Sequence, residues 1–196
     1  MTTDSPSRIR HAIRRLRDES PRQQLEDSSR KICHRLMKLS LLMRANKIGC
    51  YFPDRGEVDL RPLMHWIWQL DRPVYLPVLH PFRQGHLLFC ATYPSSWLRL
   101  NHYGIPEPES RNHSEILTPV NLDVVVTPLV AFDASKHRLG MGGGYYDRTF
   151  WRRARERSWR HPRLIGVGYE FQKVDRILKQ PWDVPLDLVV TEQTVY

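Results

Sequence analysis

The chain has little sulfur chemistry to offer. Its three cysteines, Cys33, Cys50 and Cys90, are odd in number and far apart. None belongs to a CxxC pair, which argues against a disulfide framework and against a zinc site. No run of 18 apolar residues occurs, so a spanning helix is not expected. The opening MTTDSPSRIR has no apolar core of the secretory kind. A reducing cytoplasm is therefore the expected compartment. No Gly-Lys pair exists, so a Walker A loop is excluded. No Ser-His-Asp or Cys-His set stands out, and the histidines, His34, His65 and His102 among them, have no metal-type spacing. No helix-turn-helix, zinc-finger or RNP-type motif is visible either.

What is present is globular in kind. The 196 residues are 41% hydrophobic, 26% charged and 10% aromatic, which fits one domain that folds without staples. The net charge of +9 sits in two places: residues 1–35 carry +4, residues 148–163 (RTFWRRARERSWRHPR) carry +6, and the rest sums to −1. Clustered basic charge attracts phosphate-bearing partners, whether nucleotides, polyanionic metabolites or nucleic acid. A solvated helix face is the plain alternative for such a run. Trp151 and Trp159 are expected to pack inward or under the arginine stems.

Periodicity supplies an element order. Ile9, Ile13 and Leu16 make 8–17 a short basic amphipathic helix. Ser20 and Pro21 read as the start of a second helix running to about Asn46, with Leu25, Ile32, Leu36, Leu39 and Leu42 as its buried stripe. Strand-type runs follow at 47–52, 73–79, 86–93, 122–132, 163–170 and 186–191, with a helix over 60–70. The short link between 73–79 and 86–93 implies an antiparallel pair. The β-branched run at 122–132 reads as a strand buried on both faces. Alternating strands and helices call for an α/β fold, with a mostly parallel sheet between helical layers and the basic N-terminal helix of residues 1–20 packed on a single domain.

The most informative stretch is VTPLVAFDASKHRLGMGGGYYD, 126–147. A strand leads into a loop in which four of the five residues 140–144 are glycine, and a helix starts near Tyr145. Glycines allow close backbone approach, and a helix N-terminus offers unpaired N–H groups, which together make a phosphate cradle. A dinucleotide-type GxGxxG fails by one residue, because Tyr145 stands where its last glycine belongs. Arg138 and Asp147 bracket the glycines, suited to phosphate and to magnesium respectively. Tyr145 and Tyr146 stand where a flat ring could stack.

TPLVAFDASKHRLGMGGGYYDR (127–148) closely resembles the signature of the 5-formyltetrahydrofolate cyclo-ligase (5,10-methenyltetrahydrofolate synthetase) family. YFPDRGEVDLRPL (51–63), YLPVLHP (75–81), YGIPEP (103–108) and QPWDVPLDLVVTE (180–192) resemble further family segments in the same order. The resemblance covers nearly the whole chain. It implies a three-layer, Rossmann-like α/β/α sandwich and a small-molecule enzyme that joins MgATP hydrolysis to cyclisation of 5-formyltetrahydrofolate. In that reaction a formyl oxygen attacks the γ-phosphate, N10 closes the ring on the imidate-phosphate, and phosphate leaves. No covalent nucleophile is expected.

The resemblance also implies a residue set. Arg10, Arg14, Arg138, Leu139, Gly140, Met141, Gly142, Gly143, Gly144, Tyr145 and Tyr146 match positions around ATP. Phe52, Glu57, Tyr103 and the same stretch from Gly142 to Tyr145 match the folate side, with Glu57 as the pterin-contacting acid. Asp147 and Asp183 match the magnesium positions. Two departures stand out: Pro6 replaces a lysine that many members carry four residues before Arg10, and Met141 and Gly143 stand where some members have basic residues. ATP, 5-formyltetrahydrofolate and its polyglutamates are the expected partners, with no membrane, and the chain is expected to be monomeric. The competing reading is a nucleic-acid-binding protein that uses the two basic segments. A phosphosugar or CoA-handling enzyme of similar build, needing no ATP, is a third.

Overall fold

A computed structural model describes residues 5–109, 116–155 and 161–196. The chain opens with helix α1 (Pro6–Glu19), whose first turn carries Pro6 and is capped by the Ser5 side chain accepting from the Arg8 N–H. Helix α2 (Arg22–Met37) begins one residue later than a Ser-Pro start implies. The Ser20 hydroxyl donates to the Leu16 carbonyl at 2.7 Å, so it closes α1 instead of opening α2. The expected long second helix also stops at Lys38: Leu39 turns extended and a separate short helix, α3 (Ser40–Arg44), follows. The reset lets both Leu36 and Leu42 be fully buried.

Among the described residues the main sheet has seven strands, namely β1 (Ile48–Gly49), β2 (Val74–Leu79), β3 (Leu87–Thr92), β6 (Ile116–Leu117), β7 (Val124–Pro128), β10 (Arg163–Val167) and β11 (Leu188–Val190). Their spatial order is β11-β10-β7-β1-β2-β3-β6. The five strands from β11 to β2 are parallel; β3 pairs antiparallel with β2, as the short link between them requires, and β6 antiparallel with β3. Two small hairpins sit outside this sheet: β4 (Leu98–Leu100) with β5 (Pro106–Pro108), and β8 (Ala131–Phe132) with β9 (Arg138–Leu139).

Every strand read from an apolar run is shorter than that run, β1 and β7 most of all. Only Ile48 and Gly49 of 47–52 are in the ladder, because the chain peels away toward Pro53, which has no N–H to donate. The run 122–132 is split at Pro128: Leu129 and Val130 leave the sheet, and Ala131–Phe132 turn back on 138–139.

Side chains of β7 alternate between two cores. Val124 and Val126 pack with α2, Leu42 of α3 and helix α4 (Arg61–Gln69), whereas Val125 packs on the other face with Phe89 and with Phe150 of helix α5 (Tyr145–Arg155). The architecture is the expected three-layer α/β/α sandwich with a mostly parallel sheet. Through Ile13, α1 joins a smaller apolar cluster with Val130, Ala131, Leu139 and Ile177 beside the β8–β9 hairpin. The three cysteines are all buried. No helix among the described residues is long and apolar enough to cross a membrane.

Candidate active site

Reading outward from β1, the chain places β2 and β3 on one side and β7, β10 and β11 on the other. The carboxyl ends of β1 and β7 therefore flank a topological switch point, where open α/β sheets bind ligands. A cleft of about 580 Å³ opens there. Its walls come from the segment after β1 (Tyr51, Phe52, Glu57), the ends of β2 and β7 (Leu79, Leu129), the hairpin 101–107 and the glycine loop with the first turn of α5.

The glycine loop needs its composition. Gly142 and Gly144 have φ of +106° and +64°, in the region L side chains rarely adopt. A Cβ on Gly140 would meet nothing within 4 Å, so the backbone there is open to approach. The loop ends on Tyr145, the first residue of α5, whose orphan N–H groups favour an anion. From α1, Arg10 Nε donates to the Gly140 carbonyl at 2.8 Å and Arg14 Nη2 lies 3.8 Å from Met141 Sδ. The basic N-terminal helix is thus fastened to the loop directly.

Asp147, in the first turn of α5, receives Arg138 Nη2 at 2.5 Å and the Val184 N–H at 3.1 Å, both on Oδ1. Arg138 is itself buried, and its other nitrogen donates to the Val184 carbonyl at 2.5 Å. Its fork is therefore occupied in orienting Asp147. Asp183 adjoins Val184, and its Oδ2 accepts from the Gln180 N–H at 2.8 Å. Asp147 Oδ2 takes no hydrogen bond among the described residues, and no cluster of three or more metal-type ligands occurs among them. That donor set suits magnesium, which takes one or two carboxylates and fills its shell with phosphate and water.

Across the cleft, the Glu57 side chain is half-buried, facing Asp54, Arg17 and the Tyr51 and Tyr146 phenols. Its Oε2 accepts from the Asp54 N–H at 3.2 Å, and burial pushes its pKa up to about 7, against smaller lowering effects of that hydrogen bond and of Arg17. The Tyr146 and Tyr51 phenols are raised too, chiefly by burial and then by the Glu57 charge. At the mouth, the Tyr103 and Tyr145 hydroxyls are 2.7 Å apart with the rings edge-on, which raises the Tyr145 pKa.

Of the residues singled out from the sequence, Phe52, Glu57, Tyr103, Arg138, Gly140, Met141, Gly143, Gly144, Tyr145, Tyr146 and Asp147 line this one cleft. Arg10 and Arg14 stand behind the glycine loop, Gly142 of the loop faces Arg10 and is not part of the cleft lining, and Asp183 meets Asp147 through its neighbour Val184. Leu139 points into the core with Ile13 and Ile177.

Three polar residues of the site escape sequence reasoning. Glu107 accepts from the Leu79 N–H and from Asn101, tying the 101–107 hairpin to β2. Arg148 bridges the Gly85 and Gly143 carbonyls. Arg17 lies beneath the Glu57 turn. Arg17 has a spacing signal, i+7 from Arg10, and Glu107 and Arg148 fall inside the segments 103–108 and 127–148 without a role assigned to them.

The basic run at 148–163 is partly absorbed inside the fold. Arg153 and Arg163 both pair with Asp187, whereas Trp151 is exposed, with the Arg152 guanidinium 5.8 Å from its ring. Trp159, Arg160 and the side chain of Arg155 lie outside what the structure describes.

The model of the 5-formyltetrahydrofolate cyclo-ligase family matches residues 2–192. The 5-formyltetrahydrofolate cyclo-ligase of Escherichia coli K12 is 38% identical over 186 residues, covering 94% of this chain and 98% of its own length. That of Haemophilus influenzae is 37% identical over 193 residues, covering 97% and 100%. The NMR structure of Aquifex aeolicus 5,10-methenyltetrahydrofolate synthetase superposes with a TM-score of 0.81 at 28% identity, over 97% of this chain and 91% of that one. The Mycoplasma pneumoniae synthetase, at 24% identity and a TM-score of 0.73, covers 96% and 99% and shares the fold. With one cleft holding the residues of its signature and relatives matched end to end, the chain belongs to the 5-formyltetrahydrofolate cyclo-ligase family.

Proposed function

We propose that the protein catalyses the ATP- and magnesium-dependent cyclisation of 5-formyltetrahydrofolate to 5,10-methenyltetrahydrofolate, releasing ADP and phosphate. One observation carries this reading for a member of this family: a single cleft has the glycine loop and Asp147 on one wall and Glu57, Phe52 and Tyr103 on another. Phosphoryl acceptor and phosphoryl donor can meet there, which is what the transfer needs most.

The formyl oxygen of an N-formyl group is a poor leaving group until phosphorylated. Its attack on the γ-phosphorus expels ADP and leaves an imidate-phosphate. N10 then adds to the formyl carbon, the carbon–oxygen bond breaks, phosphate departs with that oxygen, and N10 loses its proton. Around these steps the glycine loop and the α5 N-terminus would hold phosphate oxygens, with Arg10 keeping the loop in place. Asp147, oriented by Arg138, and Asp183 would hold magnesium, which when bound neutralises phosphate charge. Glu57 would receive the amino and ring N–H donors of the pterin, and those donors favour its ionised form. Tyr103 and Tyr145 would close over the ring system. The cytoplasm and a monomeric state complete the proposal.

The coupling is testable by product counting. ADP release should require 5-formyltetrahydrofolate and match methenyl product one for one. ATP hydrolysis that ignores the folate would refute the coupling.

A further inference from the structure

Arg10, Arg14 and Arg17 sit at i, i+4 and i+7 on α1 and so share one face of that helix. The first two reach the glycine loop, and the third reaches the opposite wall of the cleft. Arg17 is 4% exposed, with Nη1 donating to the Arg55 carbonyl at 3.2 Å and Nη2 to the Leu129 carbonyl at 3.4 Å. Arg55 and Leu129 both line the cleft, one beside Glu57 and one beyond the end of β7. Gly56 lies directly on the Arg17 stem: a Cβ there would fall 2.9 Å from Arg17 Cδ, and its φ of +71° is already one that side chains avoid. The turn carrying Glu57 is therefore shaped around this arginine.

We propose that Arg17 is a positioning residue for Glu57, clamping the 54–57 turn to Leu129 so that the carboxyl is presented to the folate while the same helix holds the glycine loop. This rests on the folate reading of the cleft given above. Charge supports the geometry. Four groups act on the Glu57 carboxyl or answer to it: Asp54, the Tyr51 and Tyr146 phenols, and Arg17, whose cation favours ionisation. A buried guanidinium bridging two carbonyls is costly to keep unless its charge and its fork are both used, and Arg17 Nε has no hydrogen-bond partner among the described residues. The neighbouring anchors fit the same role: the Tyr169 hydroxyl donates to the Glu57 carbonyl at 3.3 Å, and Gln172 Nε2 to the Leu129 carbonyl at 3.0 Å.

The test combines a titration with steady-state kinetics on the full chain. The Glu57 carboxyl is followed by infrared difference spectroscopy against Glu57→Gln, in wild type, Arg17→Met and Arg17→Lys. In Arg17→Met the midpoint should move up from about 7, and KM for 5-formyltetrahydrofolate should rise about tenfold while KM for ATP changes less than about threefold. Arg17→Lys keeps the charge but cannot bridge both carbonyls. Its midpoint should stay near wild type while KM for the folate rises about threefold. A folded Arg17→Met with an unmoved midpoint overturns the proposal. If Arg17→Met does not fold, Arg17→Lys decides: an unchanged KM for the folate overturns it equally. A wild type that never turns over the folate would remove the functional reading, and the carboxyl titration would still decide whether Arg17 acts on Glu57.

Discussion

Arg138 and Asp147 form an ion pair at the root of α5, 2.5 Å apart, with the Arg138 side chain buried at 4% exposed and that of Asp147 25% exposed. The arginine expected to neutralise phosphate also aims the carboxylate expected to hold magnesium. Asp147→Asn keeps an acceptor oxygen for Arg138 and Val184 but loses the charge. Turnover should fall by about 100-fold or more, with the fold intact by circular dichroism. Asp147→Ala strands a buried guanidinium and should cost about 3–5 kcal/mol of stability as well. Near-normal rates in Asp147→Asn would remove the metal assignment.

Glu57 makes stability fall with pH. Its folded pKa of about 7 exceeds the ordinary value of 4.5, so the native state binds the proton more tightly than the unfolded chain. There is no penalty below about 4.5; it grows as pH rises and levels off above about 7, reaching up to about 3 kcal/mol. Glu57→Gln removes it. Denaturant melts should therefore show the variant gaining on wild type between those two pH values and not below them. The same variant should bind the folate more weakly. A pH-independent difference in stability would contradict the raised pKa.

Arg10 reads on nucleotide. Its 2.8 Å bond to the Gly140 carbonyl holds the glycine loop from behind. Arg10→Ala should raise KM for ATP by about tenfold, losing roughly 1.5 kcal/mol, and leave KM for the folate nearly unchanged. Equal effects on both would mean that α1 acts only as a structural brace.

Tyr103 and Tyr145 meet through their hydroxyls and their edge-on rings at the mouth of the cleft. Tyr103→Phe breaks that bond but keeps a ring. KM for the folate should rise about two- to fivefold, and Tyr103→Ala should exceed it by removing the ring. Identical kinetics in both variants would place Tyr103 outside the substrate path.

The part of the site between Arg138 and Asp147 was legible because it is contiguous: glycines, a helix start and two charges within ten residues. The sheet order was legible in kind, since alternating strands and helices leave few arrangements. The breaks were not. Leu39 continues an apolar stripe through a point where the helix stops, and Pro128 interrupts a run that looks unbroken by hydrophobicity alone. Arg17 was read only as part of a basic face, because its partners Arg55 and Leu129 lie 38 and 112 residues away. The role of Arg138 was hidden for a similar reason: the Val184 carbonyl that fixes it is 46 residues downstream.

The central claim is that this cleft couples ATP to ring closure on a formylated folate. The most direct measurement follows the near-UV absorbance of the methenyl product after mixing the protein with 5-formyltetrahydrofolate and MgATP. The account predicts a rising band that needs ATP, stops on addition of EDTA and is lost in Asp147→Asn. A flat trace from folded protein that still binds ATP would contradict it.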